Sequence, residues 1–173
     1  MKRYLYFVEG ECEKKLLKSF MYLEEESFIE GKVVVFNFIN KRLSKPYART
    51  IKKDTKVIII LDTDVLNTDL LSENINILKK VALIREEDII VVFSNKTLED
   101  EIVYSSKKLS NINQLFNTSS ISEFKNKFLS REDLKNKLDQ VEFDIHKIWS
   151  RKVNAPFDEY QSKKRIIQKK SKD

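Results

Sequence analysis

The amino-acid sequence predicts an α/β fold in which a mainly parallel, Rossmann-like sheet is flanked by helices and followed by a helical C-terminal part. Short apolar runs alternate with stretches of helical periodicity, and this order favours parallel strand pairing. The run VIIIL, residues 57–61, has no polar alternation, which is typical of a strand covered on both faces. Residues 94–160 contain no comparable apolar run, so the strands belong to the first part of the chain.

The first strand is predicted at residues 3–8 (RYLYFV), because this run is rich in aromatic and branched residues and ends at a glutamate–glycine pair. Apolar residues recur near helical spacing over 11–26 and predict the first helix. A second strand is expected at 32–39 (KVVVFNFI). The basic connector 40–53 that follows is broken by Pro46 into a loop or a short helix.

The most hydrophobic short run, residues 57–61, is expected to form the central strand of the sheet. Apolar residues on a helical period predict a helix over 70–81, and the run at 88–93 (DIIVVF) predicts the fourth strand. In parallel sheets, sites form at the carboxyl ends of the strands. We therefore expect functional residues after the first, third and fourth predicted strands.

The C-terminal third is expected to be helical. Residues 122–129, 131–141 and 143–149 have apolar spacing that predicts helices. Ser130 is the candidate N-cap of the second of these, because Glu132 and Asp133 follow it in what would be the first turn.

One domain is predicted, because 173 residues with 41% apolar content are enough for a single core. We divide the chain into a catalytic core at 1–105, a helical extension of the same domain at 106–160 and a basic tail at 161–173. Of the net charge of +6, residues 163–173 carry six positive charges and one negative, which leaves +1 for the rest. Such a tail is either a solvated end or a source of salt-dependent attraction to phosphates.

Several classes of protein are excluded by composition. No apolar run reaches about 18 residues and no secretory signal pattern is present, so a soluble, cytoplasmic protein without membrane association is expected. The single cysteine, Cys12, allows neither an intrachain disulfide nor a zinc knuckle. Only two glycines, Gly10 and Gly31, occur, which excludes a Gly-rich phosphate-binding loop.

Acidic residues follow two of the predicted strands. Glu9 ends the first strand, and Asp62 and Asp64 end the third, so neighbouring parallel strands would bring these carboxylates into one crevice. Glu13 lies four residues after Glu9, in the first turn of the predicted helix, where it faces the same crevice. Clustered carboxylates repel one another, and hard oxygen ligands suit Mg²⁺ or Mn²⁺. These four acids are therefore the predicted metal ligands, and a bound ion would activate water for attack on a phosphodiester.

A second interpretation of the same acids stays open. Asp-x-Asp after a strand also occurs in ordinary polar loops, and acids at a helix start, such as Glu11 and Glu13, are often merely solvated.

Residues outside the acidic cluster have weaker signals. His146 has no second histidine at metal-ligand spacing and is expected to be structural. Trp149 with Arg151 and Lys152 suits base stacking with phosphate contact, although a core tryptophan beside two solvated cations is the simpler interpretation. Lys152, after the last predicted helix, is a candidate for stabilising transition-state charge.

A cationic rim around the crevice is expected from the connector, with Lys41, Arg42, Lys45, Arg49, Lys52 and Lys53.

The segments YLYFVEGECEKKLL and KVIIILDTDV resemble a Toprim domain, the fold shared by primases, topoisomerases, a ribosomal-RNA maturation ribonuclease and the overcoming-lysogenization-defect (OLD) nucleases. That family has a glutamate at the end of strand one, usually in a Val-Glu-Gly context, and an Asp-x-Asp after strand three. Val8-Glu9-Gly10 and Asp62-Thr63-Asp64 fit this pattern. The resemblance covers about residues 3 to 105.

Within the family, the nuclease branch is the better fit. OLD-like nucleases often carry a further acid where Glu13 stands, and small defence-associated members have a serine–asparagine segment followed by a glutamate, which resembles residues 94–101. The resemblance implies that Glu99 or Glu101 completes the metal site. The acid that topoisomerases and primases often carry past the Asp-x-Asp is replaced here by Leu66, and no tyrosine is marked as a nucleophile.

The resemblance implies a Mg²⁺- or Mn²⁺-dependent nuclease, with Glu9, Asp62 and Asp64 as catalytic residues and DNA or RNA as substrate. It further implies an antiphage defence or toxin role beside a separate ATPase partner. The alternative is a noncatalytic Toprim-like adaptor that binds metal and a partner protein. An enzyme that makes nucleic acid, as primases do, fits less well, because the chain lacks a zinc module.

Overall fold

A four-stranded, all-parallel sheet forms the centre of the computed structural model, which describes residues 3–23, 26–163 and 166–169. Its strands lie in the order β3-β1-β4-β5, so β1 and β4 are internal. The elements in chain order are β1 (Arg3–Val8), α1 (Glu11–Phe20), β2 (Glu26–Phe28), β3 (Lys32–Val35), α2 (Lys45–Thr50), β4 (Thr55–Asp62), α3 (Asp69–Lys80), β5 (Ile89–Ser94), α4 (Leu98–Ser105), α5 (Ile121–Ser130), α6 (Leu134–Gln140) and β6 (Ile167–Lys169). Two short 3₁₀ helices lie at Glu86–Asp88 and Ile112–Leu115.

The predicted α/β class and parallel sheet are confirmed. β1 pairs with β3 on one side and with β4 on the other, and β4 also pairs with β5. Val8 lies opposite both Val35 and Ile60, and Asp62 lies opposite Ser94. The carboxyl ends of all four strands therefore meet along one edge of the sheet.

Both faces of the sheet are covered, which explains why VIIIL lacks polar alternation. Alternate side chains of β1, β4 and β5 point to opposite faces, because successive residues of a strand do so. One face packs against α1, α4, α5 and α6, and the core there includes Tyr6, Val8, Ile58, Ile60, Leu16, Leu17, Phe124 and Leu138. The other face packs against α2 and α3, with Phe7, Ile59, Leu61, Phe93, Leu71 and Leu78 buried. Each such side chain contributes ~1.5–3 kcal/mol on burial.

Local signals fix the starts of several helices. Ser44 caps α2 by accepting a hydrogen bond from the Tyr47 backbone N–H, and Pro46 stands in the first turn, where its missing N–H costs nothing. Thr97 caps α4 and Ser120 caps α5 in the same way. The basic connector therefore contains a short helix, one of the two forms expected for it.

Some predicted elements are wrong. The first helix ends at Phe20 instead of near residue 26, and the short strand β2 follows it. Residues 143–149 form turns and an isolated bridge between Ser106 and Phe143, so no third C-terminal helix exists there. Ser130 is the last residue of α5, and Asp133 is the N-cap residue of α6. The apolar residues of 143–149 instead pack beneath the helices, with Ile145, Ile148 and Trp149 buried.

Part of the predicted basic tail is ordered against the body. β6 pairs antiparallel with β2, and Ser162 donates its backbone N–H to the carbonyl of Val91 at 2.8 Å while its hydroxyl accepts from the N–H of Val91 at 3.0 Å. The outer edge of β5 is thereby covered. The tail positions 164–165 and 170–173 lie outside the described residues.

No helix in the described ranges combines the length and the apolar character that a bilayer crossing requires.

Candidate metal centre

Acidic side chains from three neighbouring segments converge at the carboxyl edge of the sheet. Glu9 follows β1 directly, Asp62 ends β4, and Glu13 lies in the first turn of α1. Because β1 and β4 are paired neighbours, the predicted meeting of Glu9 with Asp62 is observed. Electrostatic coupling also links Glu13 to both, and Asp64 to Glu9 and Asp62.

The Glu9 carboxylate is fixed by two hydrogen bonds. Its Oε1 accepts from the Asn37 side-chain amide at 2.7 Å, and its Oε2 accepts from the backbone N–H of Asp62 at 3.1 Å. Asn37 is itself held, because its Oδ1 accepts from the backbone N–H groups of Ile39 and Asn40. Burial raises the pKa of Glu9 and Asp64 adds to the rise, while the two hydrogen bonds oppose it.

The Glu13 side chain is buried, with 6% of its surface exposed, and it turns back toward the start of its own helix. A side chain at position 10 would place its Cβ 3.0 Å from Oε2 of Glu13, which is tighter than ordinary van der Waals contact. Gly10 therefore leaves the space that the carboxylate occupies. Burial raises the pKa of Glu13, and the neighbouring carboxylates of Glu9 and Glu99 raise it further.

Asp62 is the most perturbed acid of the cluster. Burial, followed by repulsion from Glu13, Glu9 and Asp64, raises its pKa to about 8, although the neighbouring Ser94 side chain favours the charged form. Its Oδ1 is buried and has no hydrogen-bond partner. A buried, unsatisfied carboxylate oxygen is costly, so this oxygen is a candidate ligand for a cation.

Asp64 lies in the exposed loop after β4. This loop is tied to the one after β5, because the Thr63 backbone N–H donates to the Lys96 carbonyl at 3.0 Å and the Lys96 N–H donates to the Thr63 hydroxyl at 2.8 Å. Lys96 adopts φ 78°, a strained value for a residue with a side chain. The loop after β4, which carries Asp64, and the loop after β5, which carries Lys96, are therefore joined by hydrogen bonds into one rim.

Glu99 lies near the cluster, and Glu101 is used elsewhere. Glu99 is 12% exposed and coupled to Glu13, and its Oε1 lies 3.2 Å from Nζ of Lys125 on α5. Glu101 is fully buried, and Arg151 donates two hydrogen bonds to its Oε1, at 2.6 and 3.0 Å. The backbone N–H groups of Asn95 and Trp149 also donate to its carboxylate. Of the two glutamates expected to complete the site, the structure brings Glu99 to the cluster and gives Glu101 a structural role.

Cys12 is half-buried beside the cluster. Burial and the nearby Glu13 and Glu99 raise the pKa of its thiol to about 12. The thiol is therefore protonated at neutral pH, which leaves oxygen as the donor of the cluster.

Within the described ranges, no group of three or more His, Cys, Asp or Glu side chains is arranged so that it could hold a metal ion as it stands. The chemistry of the cluster nevertheless fits a hard divalent cation, because it offers carboxylate oxygens and one of them, Oδ1 of Asp62, is buried without a partner. Mutual repulsion opposes closer approach of carboxylates until a cation compensates their charge. The cluster thus offers carboxylate oxygens of the kind that Mg²⁺ and Mn²⁺ prefer.

Lys152 and His146 lie away from the acids. Both line a cavity of about 320 Å³ together with Trp149, Lys163 and other residues near the end of the described chain. A cation that is coupled to the acidic cluster is Lys125, which no sequence pattern marked. Trp149 itself is buried at 5% exposure and stacks near Phe28, so it is a core residue and its face is not open to a base.

Of the basic connector, only the first residues lie at the carboxyl edge of the sheet, where the acidic cluster is. Lys41 and Arg42 follow β3 at the carboxyl edge, and Arg42 is paired with Glu73. α2 then runs back along the sheet, so Lys52 and Lys53 precede β4 at the opposite edge. The expected cationic rim is therefore formed by fewer residues than the sequence indicates.

Sequence reasoning missed Asn37 and Lys125, and it included Ser94 only as part of the segment 94–101, without a role at the site. Ser94 ends β5 and Asn37 lies just beyond β3, so the rule that located Glu9 and Asp62 also applies to them. Nothing in the sequence pointed to Lys125, because α5 reaches the cluster only through tertiary packing against α1.

Comparison with protein-family models, with curated proteins and with solved structures finds no match to this chain. The candidate site therefore depends on the residues and geometry of the chain itself.

Proposed function

We propose that this chain is a Toprim-like, metal-dependent nuclease that hydrolyses phosphodiester bonds of DNA or RNA. The observation that carries the proposal is the buried Oδ1 of Asp62, which has no hydrogen-bond partner and lies among other acids at the carboxyl edge of a parallel sheet. Buried carboxylates at such a place are a common mark of a functional site.

The residues that would hold Mg²⁺ or Mn²⁺ are Glu9, Glu13, Asp62 and Asp64, with Glu99 at the margin. When bound, the ion would polarise the phosphodiester and lower the pKa of an attacking water. Glu9 is the best-oriented carboxylate, because Asn37 and the Asp62 backbone fix both of its oxygens. Burial and mutual repulsion raise the pKa of Glu13 and of Asp62, and a bound cation would favour the charged form of both carboxylates.

Cations around the cluster support a polyanionic substrate. Lys96 is exposed on the loop rim, Lys125 lies beside Glu99, and Lys41 follows β3 at the same edge. Lysines at such positions contact backbone phosphates and carry no sequence preference. This pattern fits DNA and RNA equally.

The biological role that we propose is antiphage defence or toxin action beside an ATPase partner. This part rests on the resemblance of Val8-Glu9-Gly10 and Asp62-Thr63-Asp64 to the nuclease branch of the Toprim family. The chain has two glycines and no Gly-rich phosphate loop, so a nucleotide-driven step would need another protein.

The test is cleavage of labelled plasmid, single-stranded DNA and total transfer RNA in Mg²⁺ or Mn²⁺ by wild type, Asp62→Asn and Glu9→Gln. Asp54→Asn is the matched control, because Asp54 precedes the same strand that Asp62 ends and is an exposed partner of Arg3. We expect metal-dependent cutting that both site variants lose and the control keeps.

Two other outcomes would change the proposal. Metal binding without cleavage of any substrate, alone or with a candidate ATPase, favours the noncatalytic adaptor. Cleavage that survives both site substitutions places the activity outside this cluster and contradicts the assignment.

A further inference from the structure

Trp149, the single tryptophan of the chain, has an unusual backbone conformation. Its φ is 54°, a value that bulky side chains rarely adopt, and the residue is 5% exposed. Such a conformation persists only where surrounding contacts enforce it. The enforcing contacts here are a hydrogen bond from its backbone N–H to Oε2 of Glu101, at 3.0 Å, and packing of its ring against Phe28, at 5.5 Å between centroids.

The groups that hold the Trp149 backbone in this conformation are themselves buried or paired. Glu101 is 0% exposed, and the Arg151 side chain, which donates to it, also donates to the Asn95 carbonyl at 3.3 Å. The guanidinium of Arg151 lies over the Tyr104 ring at 4.4 Å. Hydrogen bonds thus attach the segment 149–151 both to the loop after β5 and to α4.

The indole of Trp149 points toward the carboxyl edge of the sheet. Its Nε1 donates to the hydroxyl of Ser94 at 3.2 Å, in a fully buried setting. Ser94 ends β5 directly opposite Asp62 in the sheet register, so the two side chains are neighbours on the same face of the sheet. A hydroxyl both accepts and donates, so a serine oxygen that accepts from the indole keeps its own proton for another acceptor, and the Asp62 carboxylate is its neighbour in the sheet.

We propose that Trp149 is a positioning residue for Asp62, acting through Ser94. The indole holds the Ser94 hydroxyl beside the Asp62 carboxylate, whose Oδ1 is buried without a hydrogen-bond partner, and the hydroxyl proton directed to this carboxylate would orient it toward an ion. Outer groups that orient a ligating carboxylate in this way have measurable effects on metal affinity. The inference rests on the proposed metal site, and it makes the segment after α6 part of that site.

The experiment compares Mn²⁺ affinity, by isothermal titration calorimetry, in wild type, Ser94→Ala, Trp149→Phe and the double variant. Ser94→Ala should weaken binding about 10- to 100-fold, and Trp149→Phe about 2- to 10-fold, because phenylalanine keeps the ring and loses the N–H donor. The double variant should bind as Ser94→Ala alone, because Trp149 acts only through Ser94. Phe28→Leu is the control, since it loosens packing against the same ring and leaves the hydrogen bonds in place.

A second readout needs no metal. The chain has one tryptophan, so its indole N–H gives a single cross-peak in a ¹H–¹⁵N spectrum. In EDTA, this peak should move in Ser94→Ala and Asp62→Asn and stay in place in Asp54→Asn. Failure of the wild type to bind Mn²⁺, with the indole shifts intact, defeats the nuclease proposal and leaves the link from Trp149 to Asp62 standing. Equal losses of affinity in Trp149→Phe and Phe28→Leu, or no indole shift in Asp62→Asn, overturn the positioning role itself.

Discussion

Replacement of Asp62 by asparagine should stabilise the metal-free protein at high pH. The pKa of Asp62 is raised from 3.8 to about 8, so the folded protein holds this proton more tightly than the unfolded chain does. The stabilisation from that proton is complete below about pH 4 and is lost as the pH rises through about 8. Asparagine has no proton to lose, so the difference between variant and wild type should grow across this window.

The magnitude follows from the size of the shift. A rise from 3.8 to about 8, at ~1.36 kcal/mol per pKa unit, sets an upper bound of about 6 kcal/mol. Movement of the charged side chain toward water makes the real effect smaller than this upper bound. We therefore expect Asp62→Asn to raise the free energy of unfolding by about 2–4 kcal/mol above pH 8. Near pH 4, the two proteins should have nearly equal stability.

The assay is urea unfolding in EDTA at several pH values between 4 and 9, followed by far-ultraviolet circular dichroism. Asp54→Asn, an exposed aspartate at the other end of the same strand, should change the free energy by less than about 1 kcal/mol at every pH. Excess Mn²⁺ should reverse the order, since it stabilises wild type by mass action and leaves Asp62→Asn unchanged. A difference between Asp62→Asn and wild type that does not vary with pH would refute the reasoning.

Three further changes test other parts of the structure. Glu101→Ala should lower the free energy of unfolding by about 3–5 kcal/mol in urea, because it removes the buried carboxylate that pairs with the Arg151 guanidinium and accepts from two backbone N–H groups. Gly31→Ala should cost about 1–3 kcal/mol in the same assay, because its Cβ would lie 2.8 Å from both Cβ and the carbonyl oxygen of Tyr4. Lys125→Met should tighten Mn²⁺ binding about 2- to 10-fold in calorimetry, because it removes a positive charge beside the acidic cluster.

Each of these three substitutions has a control variant or an outcome that would contradict its physical reason. The exposed Glu142→Ala should have less than half the effect of Glu101→Ala, and similar losses would contradict a buried structural role. An unchanged stability of Gly31→Ala would contradict the close approach of position 31 to the Tyr4 backbone. Lys127→Met, on the same helix and paired with Glu123, should leave Mn²⁺ affinity unchanged, and weaker binding in Lys125→Met would contradict its position as a competing cation.

Much of the fold follows from apolar patterning. β1, β4, β5 and α3 lie close to where the sequence predicts them. A strand that is covered on both faces must be almost entirely apolar, so its position can be recognised in the sequence. Shorter elements were not predictable in this way. β2 and β6 have three residues each and form by pairing with one another, and this pairing joins positions near 27 and 168 that no local pattern connects.

The C-terminal third shows where periodicity alone fails. Helices α5 and α6 follow their apolar spacing, whereas residues 143–149 have similar spacing and form turns. Here the fully buried carboxylate of Glu101 fixes the backbone at Trp149, and satisfying that carboxylate outweighs the helical preference of the segment.

The sequence by itself determined the parallel α/β core and the set of acids at its carboxyl edge, because strand ends and the chemistry of carboxylates are local properties. Only the tertiary structure decided which acids meet. It placed Glu99 beside Lys125, committed Glu101 to Arg151, and brought the Trp149 indole to Ser94, which lies opposite Asp62 in the sheet. These pairings depend on the packing of α5 and the 149–151 segment against the sheet, and contacts between such distant positions are set by the whole core.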